Sequence, residues 1–182
     1  MYKIITTPNS ILSLVAKPVL SFDKKLERII SEMESTLIAT TDPKGVGLAA
    51  PQVGLPLRLF LAKPTDDAPV VEFINPEIIQ IDRELTKSKS GSRSKKLLEG
   101  CLSLPNIWGH VTRNKTLILN FQDVKGEKHK KKFSGFMAII IQHEIDHLNG
   151  ILFTKYVVEQ GNKLYKSYKD EKGEDEFEEI KI

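Results

Sequence analysis

A segment near the end of the chain is apolar on nearly every side, and it limits the folds that the chain can adopt. Eight of the fourteen residues between Gly135 and Leu148 are apolar, four of them isoleucine. A helix that is apolar all round is buried in the core of a protein rather than lying on its surface. Ser134 can cap the start of this helix, and Asn149 followed by Gly150 can end it. The sequence therefore predicts a fold built around a central, buried helix near the C-terminal end.

The remaining segments predict one further helix and several strands. Apolar residues in 21–41 recur at helical spacing, which indicates an N-terminal amphipathic helix that Ser21 or Asp23 could cap. The predicted fold class is α+β, with antiparallel β-sheets packed around the buried helix. The strands are expected where short β-like runs are broken by Pro, Gly and Asp, which is at 58–62, 71–74, 77–81 and 116–121.

A length of 182 residues is typical of one domain, and we assign 1–168 to a single domain. From 169 to 182 the chain has seven acids and three bases, and we expect this acidic tail to be disordered. The stretch 85–96 is rich in Ser and basic residues, which predicts an exposed, mobile loop.

The chain without its acidic tail is strongly basic, because the whole chain has a net charge of +3 while its last fourteen residues are net negative. Such a basic chain could bind ribosomal RNA transiently, and a solvated face of lysines explains it equally well. No nucleic-acid motif is found, so sequence-specific binding is not expected. The sequence has neither a secretory signal nor a long apolar run, which predicts a cytoplasmic protein that does not enter membranes.

The predicted buried helix contains the run HEIDH, which is typical of a metal site. His143 and His147 lie one turn apart on one face, with about 5–6 Å between their Cβ atoms, so both imidazoles can reach one ion. Glu144 is offset from them and is placed to touch a metal-bound water. The alternative is two histidines that only satisfy hydrogen bonds in a core. Burying two His, one Glu and one Asp without a shared task would be costly, which favours the metal site.

A catalytic metal ion usually has three protein ligands and one open position, so a third ligand is needed. The candidates are His110, His129, Glu99 and Cys101. His129 lies among lysines, which would repel a cation. Cys101 is the only cysteine, which excludes an intrachain disulfide, and its thiolate suits Fe²⁺ or Zn²⁺. The sequence therefore favours Cys101, which follows a glycine that permits tight backbone geometry.

Three short segments together resemble the signature motifs of peptide deformylases, enzymes that remove the N-formyl group from newly made proteins. They are GVGLAAPQ at 45–52, EGCLS at 99–103 and QHEIDHLNG at 142–150, and all three match without a gap. The resemblance implies formyl-methionyl nascent peptides as substrates. It also implies one divalent metal ion held by Cys101, His143 and His147. This is ferrous iron in the cell, and Zn²⁺, Ni²⁺ or Co²⁺ can replace it.

The same resemblance implies roles for the residues around the metal. Glu144 would act as general base, first towards water and then towards the departing amine. The side chain of Gln52 and the amide of Leu102 would form the oxyanion hole. Glu99 and Arg113 match positions that form an ion pair, although two separate surface charges would also explain them. Asp146 would either join that pair or steady a ligand histidine.

Substrate contacts are implied for two of the motifs. The segment 45–48, which is Gly45, Val46, Gly47 and Leu48, would pair with the peptide backbone as an added strand. Val46, Ile139, Ile140 and the ring of His143 would line the pocket for the methionine side chain. This chain has Trp108 where several deformylases have a polar residue, so contact beyond the methionine would rest on stacking and area.

Two other functions remain compatible with parts of the sequence. A zinc endopeptidase also uses the HExxH pattern, but such enzymes generally take a further His or Glu ligand downstream, and no His follows His147. An RNA-binding protein with a structural metal would ordinarily supply four ligands, and only three good ones are found. Both arguments favour a catalytic site.

Overall fold

The computed structural model describes residues 1–85 and 98–181. The described part contains three α-helices, α1 (Lys24–Ala39), α2 (Gly135–Leu148) and α3 (Phe153–Glu159), and two short 3₁₀ helices, Ser10–Ser13 and Ala50–Val53. Its strands are β1 (Gly47–Ala49), β2 (Leu59–Ala62), β3 (Val71–Leu85), β4 (Glu99–Cys101), β5 (Leu104–Gly109), β6 (Asn114–Gln122), β7 (Lys128–Ser134), β8 (Leu164–Lys169) and β9 (Asp175–Ile180).

The strands form two antiparallel sheets, and the α+β class predicted from the sequence is confirmed. One sheet has five strands in the order β1-β2-β3-β6-β7, and the other has four in the order β4-β5-β8-β9. The segments that supply the predicted site lie in both sheets and in α2. The two sheets and this helix must therefore pack together for the site to form.

Helix α2 packs on the five-stranded sheet, and the apolar residues of its sequence are what hold it there. Ala138, Ile141 and Leu148 are fully buried in one cluster with Phe60 and Phe73 of the sheet. The ring of Phe73 stacks on that of Phe60 with centroids 4.7 Å apart. Polar side chains on a helix so deeply packed are held in fixed positions, which suits a binding site.

Helix α1 covers a second cluster on the same sheet. Its N-cap is Asp23, whose Oδ1 accepts hydrogen bonds from the backbone N–H groups of Lys25 and Leu26 at 2.9 and 3.0 Å. Met33 and Leu37 are fully buried against residues of β1 and β2. Of the two caps that the sequence allowed, the structure therefore uses Asp23.

The strands expected at 71–74 and 77–81 are one continuous strand, β3. The sequence suggested a break because Asn75 and Pro76 lie between them. Asn75 instead forms an irregularity within the strand, with a φ of 50° and a register shift between Ile74 and Glu77. Its side chain accepts from the N–H of Val19 and donates to the carbonyl of the same residue, which stabilises the irregularity.

The acidic tail expected to be disordered instead contains strand β9, which pairs with β8. Two of the four acids of β9 lie opposite lysines of β8: Glu178 is beside Lys166, and Asp175 contacts Lys169 at 2.8 Å. The repulsion expected from the acids is thus offset by cross-strand ion pairs. The assignment of 1–168 to a single catalytic domain stays a prediction, although its boundary falls inside this hairpin.

The mobile loop predicted at 85–96 lies outside the described residues, apart from its first residue, which ends β3. Within the described ranges, no helix combines the length and the apolar character needed to cross a bilayer.

Candidate active site

Three potential metal ligands from distant parts of the sequence meet at one point. His143 and His147 project from one face of α2 with ring centroids 4.9 Å apart. Cys101 ends β4, and its Sγ lies 3.1 Å from Nε2 of His147. One ligand atom from each residue lies within 4.8 Å of the other two. Cys101 and His147 are buried, so their donor atoms are shielded from competing water.

The chemistry of this group fits a divalent transition metal. One thiolate and two imidazoles form the kind of soft, three-ligand set that catalytic Zn²⁺ and Fe²⁺ sites use. Nδ1 of His147 and Oε2 of Glu144 are buried side-chain atoms without a hydrogen-bond partner among the described residues. Buried polar atoms are rarely left unpaired in proteins unless they serve a site. Glu144 directly follows His143 on α2, so its buried oxygen supports a site that binds an ion and a further ligand.

The ionisation of the site follows from its burial. Burial lowers the pKa of His147 well below its ordinary value, so this ring is neutral at pH 7. A neutral imidazole is the form that binds metals. Burial also raises the pKa of Glu144 to about 7, with smaller contributions from the negative charges of Glu99 and Asp146. A carboxylate in this range can both accept and donate a proton near neutral pH.

A network of charged groups holds His143 from behind. Its Nδ1 lies 2.7 Å from Oε1 of Glu99, which leaves Nε2 for the site. Arg113 donates two hydrogen bonds to Glu99, at 2.6 and 3.1 Å, and one to Asp146 at 2.6 Å. Tyr156 donates its hydroxyl proton to Asp146 at 3.1 Å. The structure thus brings Glu99 and Arg113 together and adds Asp146 to that pair, while Glu99 is the residue that orients a histidine.

The network also fixes the charge of Glu99. Burial acts to raise the pKa of this carboxyl, but hydrogen bonds and charges from His143 and Arg113 outweigh burial and lower it to about 2. Glu99 is therefore a permanent anion, which favours a proton on Nδ1 of His143 and so sets the ring's tautomer.

Gln52 is buried, and its side-chain amide faces Cys101, one of the three potential ligands. Its Oε1 accepts a hydrogen bond from the N–H of Ala49 at 2.8 Å, which fixes the orientation of the amide. Its Nε2 lies 3.7 Å from Sγ of Cys101 and 3.2 Å from Oγ of Ser103. Leu102, the other residue expected at an oxyanion hole, begins the two-residue turn that follows Cys101. Gln52 and Leu102 therefore both lie next to the cysteine.

Ser103 was not singled out from the sequence, although it is completely buried in the same place. Its backbone N–H donates to Sγ of Cys101 at 3.4 Å, and its Oγ receives the hydrogen bond from Gln52. The carbonyl of Ser103 accepts from the N–H of Thr7 at 3.0 Å, which ties the turn to the start of the chain. Its place within the EGCLS run was the only signal of this role.

Among the described strands, β1 lies at one edge of the five-stranded sheet and leaves one side of its backbone unpaired with another strand. Lys63 donates its N–H to the carbonyl of Val46 at 2.8 Å, and the register continues with Leu48 opposite Leu61. In an antiparallel pair these residues turn their backbone groups towards the partner strand, and Gly47 and Ala49 turn theirs away. The N–H of Ala49 already donates a hydrogen bond to Oε1 of Gln52. Gly47 is thus the residue of β1 that presents its backbone to the open edge.

The side chains expected to contact substrate differ in exposure. Val46 and Ile139 are half-buried, and Ile140 is almost fully buried in the core cluster against which Val46 packs. The side chain of Leu48 lies in the cluster beneath α1, and Gly45 packs against Leu37 of that helix and against Thr40, its C-cap. Val46 and Ile139 are therefore the most accessible of these apolar side chains.

Gly47 lies directly against the carboxylate of Glu144, and a Cβ at this position would overlap Oε1 of that residue. We expect Gly47→Ala to displace the carboxylate and to lower kcat by about a hundredfold, the effect of a misplacement of roughly 1 Å. Steady-state kinetics would measure this loss. The control is Gly161→Ala: alanine strains the left-handed backbone there (φ 64°), but its Cβ meets nothing within 4 Å, so the comparison isolates the overlap with Glu144. Equal kcat values for the two variants would contradict the expectation.

A second group of potential ligands has a different explanation. Asp123, Glu127 and His129 offer three atoms within 4.8 Å of one another, but they are only partly buried or exposed. Asp123 accepts hydrogen bonds from the N–H groups of Lys125 and Glu127, and its Oδ2 lies 2.8 Å from Nε2 of His129. This carboxylate therefore stabilises the turn between β6 and β7.

Comparison with known proteins places the geometry in context. Residues 1–163 match the family model described as polypeptide deformylase. The chain is 40% identical over 167 residues to a peptide deformylase of Borreliella burgdorferi, covering 91% of this chain and 94% of that protein. It is 39% identical over 177 residues to one of Campylobacter jejuni, with coverages of 93% and 94%. Among solved structures, a peptide deformylase of Thermotoga maritima is similar with a TM-score of 0.75 and 37% identity, covering 86% of this chain and 97% of that one.

Proposed function

The chain belongs to the polypeptide deformylase family, and from that premise we propose how its own residues carry out the reaction. It is a hydrolase that removes the N-terminal formyl group from formyl-methionyl nascent peptides, and it depends on a metal ion as its family does. The observation that carries the proposal is the meeting of Cys101, His143 and His147 beside Glu144.

Three residues would hold the metal. Sγ of Cys101 and Nε2 of His147 already face each other at 3.1 Å, and Nε2 of His143 is available because Glu99 engages its Nδ1. This donor set accepts several divalent ions, and ferrous iron in the cell, replaceable by Zn²⁺, Ni²⁺ or Co²⁺, is the identity we propose. When bound, the metal would polarise the formyl carbonyl and lower the pKa of a water from about 15.7 towards 7.

Glu144 would move the proton. Its Oε2 is buried without a hydrogen-bond partner, and burial brings its pKa to about 7. The carboxylate takes a proton from the attacking water and then donates it to the amine nitrogen as the C–N bond breaks. One side chain thus serves as general base and then as general acid, and the products are formate and a free N-terminal amine.

Gln52 and Leu102 would stabilise the charge that develops on the formyl oxygen. The amide of Gln52 is held in place by the N–H of Ala49, so its Nε2 needs no reorientation when the charge forms. Leu102 directly follows Cys101, and its backbone N–H would donate a second hydrogen bond. Donors fixed before the reaction are worth more than donors that must reorganise, because no free energy is spent on aligning them.

The open edge of β1 would bind the peptide. Gly47 turns its backbone groups outwards, and an extended peptide could pair with them whatever its side chains are. Val46, Ile139 and Ile140 would line the pocket for the methionine side chain. A formyl carbon carries hydrogen where an internal peptide carbon carries a residue, so close walls around the metal would admit the formyl group and exclude internal bonds.

The reaction is tested directly by two substrates given to the metal-loaded protein. We expect formyl-Met-Ala-Ser to yield formate and one new amine, and an internally cleavable peptide to yield no new ends. New internal ends would instead support a zinc endopeptidase. No product from either peptide, with metal bound, would support a binding protein whose metal is structural.

We also propose that the enzyme works in the cytoplasm, where it meets nascent chains, and that a basic surface lets it bind ribosomes transiently. Strand β7 ends its sheet, and its lysines at 128, 130, 131 and 132 are exposed. Lysines on an outer strand also prevent edge-to-edge pairing of sheets. If these lysines bind ribosomes, replacing three of them with alanine should abolish salt-sensitive cosedimentation with ribosomes. Unchanged cosedimentation would mean that they only prevent edge-to-edge pairing.

A further inference from the structure

The indole ring of Trp108 lies on the backbone of the strand that carries Cys101. Trp108 is on β5 directly opposite Gly100 of β4. A Cβ added to Gly100 would lie only 2.6 Å from Cζ3 and 2.7 Å from Cε3 of the ring, so the absence of a side chain there is what admits the indole. Gly100 stands between Glu99, which orients His143, and Cys101. The ring therefore contacts the backbone between two residues of the proposed metal site.

The C-terminal hairpin holds this ring in place. Nε1 of Trp108 donates a hydrogen bond to Oγ of Ser167 on β8 at 3.0 Å. The ring of Phe177 on β9 meets the indole edge to face, with centroids 6.0 Å apart and an interplanar angle of 83°. Ser167 and Phe177 are cross-strand partners, so they present their side chains on the same face of the hairpin. The indole is thus confined between the hairpin and Gly100.

Strand β4 is short, and its pairing with β5 is irregular. It has three residues, it lies at the edge of its sheet among the described strands, and its register shifts between Gly100 and Cys101. Glu99 at its start is anchored by Arg113 and His143. Cys101 at its end lies beyond the irregularity, where the ladder of hydrogen bonds is interrupted. A contact on Gly100 therefore has a direct effect on where the thiolate points.

We propose that Trp108 is a positioning residue for the Cys101 thiolate, and that the β8–β9 hairpin belongs to the catalytic unit because Ser167 and Phe177 hold the indole against Gly100. The family match ends at residue 163, so this hairpin lies beyond the part of the chain that the family model describes. The inference rests on the proposed metal ligands. By holding Cys101 in place, Trp108 would slow the loss of the metal, because a ligand that can turn away releases its ion faster.

The experiment compares two aromatic residues of the same hairpin. Phe177 and Tyr168 have similar exposure, 42% and 52%, but Tyr168 follows Ser167 and so points to the opposite face of β8. The zinc-loaded variants Phe177→Ala and Tyr168→Ala are mixed with excess chromogenic chelator, and the rate of metal release is recorded. We expect Phe177→Ala to release zinc about tenfold faster than the wild type, as for loss of a group that supports a metal ligand. Tyr168→Ala should release it at the wild-type rate.

Ser167→Ala is the second test, because it removes one hydroxyl and should not prevent folding. It is expected to speed metal release as well, with far-UV circular dichroism unchanged. Equal release rates for Phe177→Ala, Ser167→Ala and Tyr168→Ala would overturn the positioning role, since a merely structural hairpin would respond alike to all three. Failure of the wild type itself to bind zinc at one ion per chain would instead contradict the proposed ligands, so the two ideas fail in different ways.

Discussion

Replacing Glu144 with glutamine will leave the metal site intact and reduce kcat by about a thousandfold, within the range attributed to general acid–base catalysis. Glutamine has nearly the same shape as glutamate, so it fits the buried space against Gly47 that the carboxylate now fills. Its amide can neither accept the proton of the attacking water nor return one to the leaving amine. Formate release under saturating formyl-Met-Ala-Ser measures kcat, and elemental analysis measures the metal content.

The control for this variant is Glu159→Gln. Glu159 is exposed at the end of α3 and lies 3.9 Å from Lys155, so the same chemical change there should leave kcat unaltered. A Glu144→Gln variant that keeps its metal and its full kcat would show that another group moves the proton. Loss of metal together with activity would show instead that Glu144 helps to bind the ion.

The parts of the fold that could be predicted from the sequence are those with a local pattern. The apolar residues of 21–41 repeat at helical spacing, and α1 occupies Lys24–Ala39 within that range. Strand β9 could not be predicted, because it forms only by pairing with β8, where two of its four acids lie opposite lysines. By composition, this segment has too few apolar residues to be predicted as folded. The lysines that offset part of its negative charge are recognised only when β9 is paired with β8.

The candidate site also has one part that a local sequence pattern predicts and another part that depends on distant residues. The spacing of His143 and His147 on a helix indicates a shared ion from local geometry alone. The supporting contacts are not local: Glu99 reaches His143 across 44 residues, and Gln52 reaches Ser103 across 51. No periodicity in a sequence encodes such contacts. They follow from how the two sheets pack on α2. The family resemblance implied roles for Glu99 and Gln52 but neither of these two contacts.

Removing the thiolate tests the metal site more severely than any other single change. We expect Cys101→Ala to lower metal affinity by more than about a hundredfold, which is the upper range for losing a group that merely supports a ligand. Two imidazoles would remain, and a site with two protein ligands does not retain a catalytic ion against a chelator. Activity should fall with the metal content. The measurement is zinc bound per chain after dialysis, alongside formate release.

The apoprotein should nevertheless stay folded. Cys101 belongs to a small cluster with Phe153 and Val157, separate from the two larger clusters beneath α1 and α2, so its loss leaves most of the core untouched. His110→Ala is the matched control, because His110 is the other sequence candidate near this strand and does not belong to the group of converging ligand atoms. We expect this variant to bind one ion with wild-type affinity. The opposite result, in which Cys101→Ala keeps its ion and His110→Ala loses it, would show that His110 is the third ligand and that the thiolate does not bind the ion.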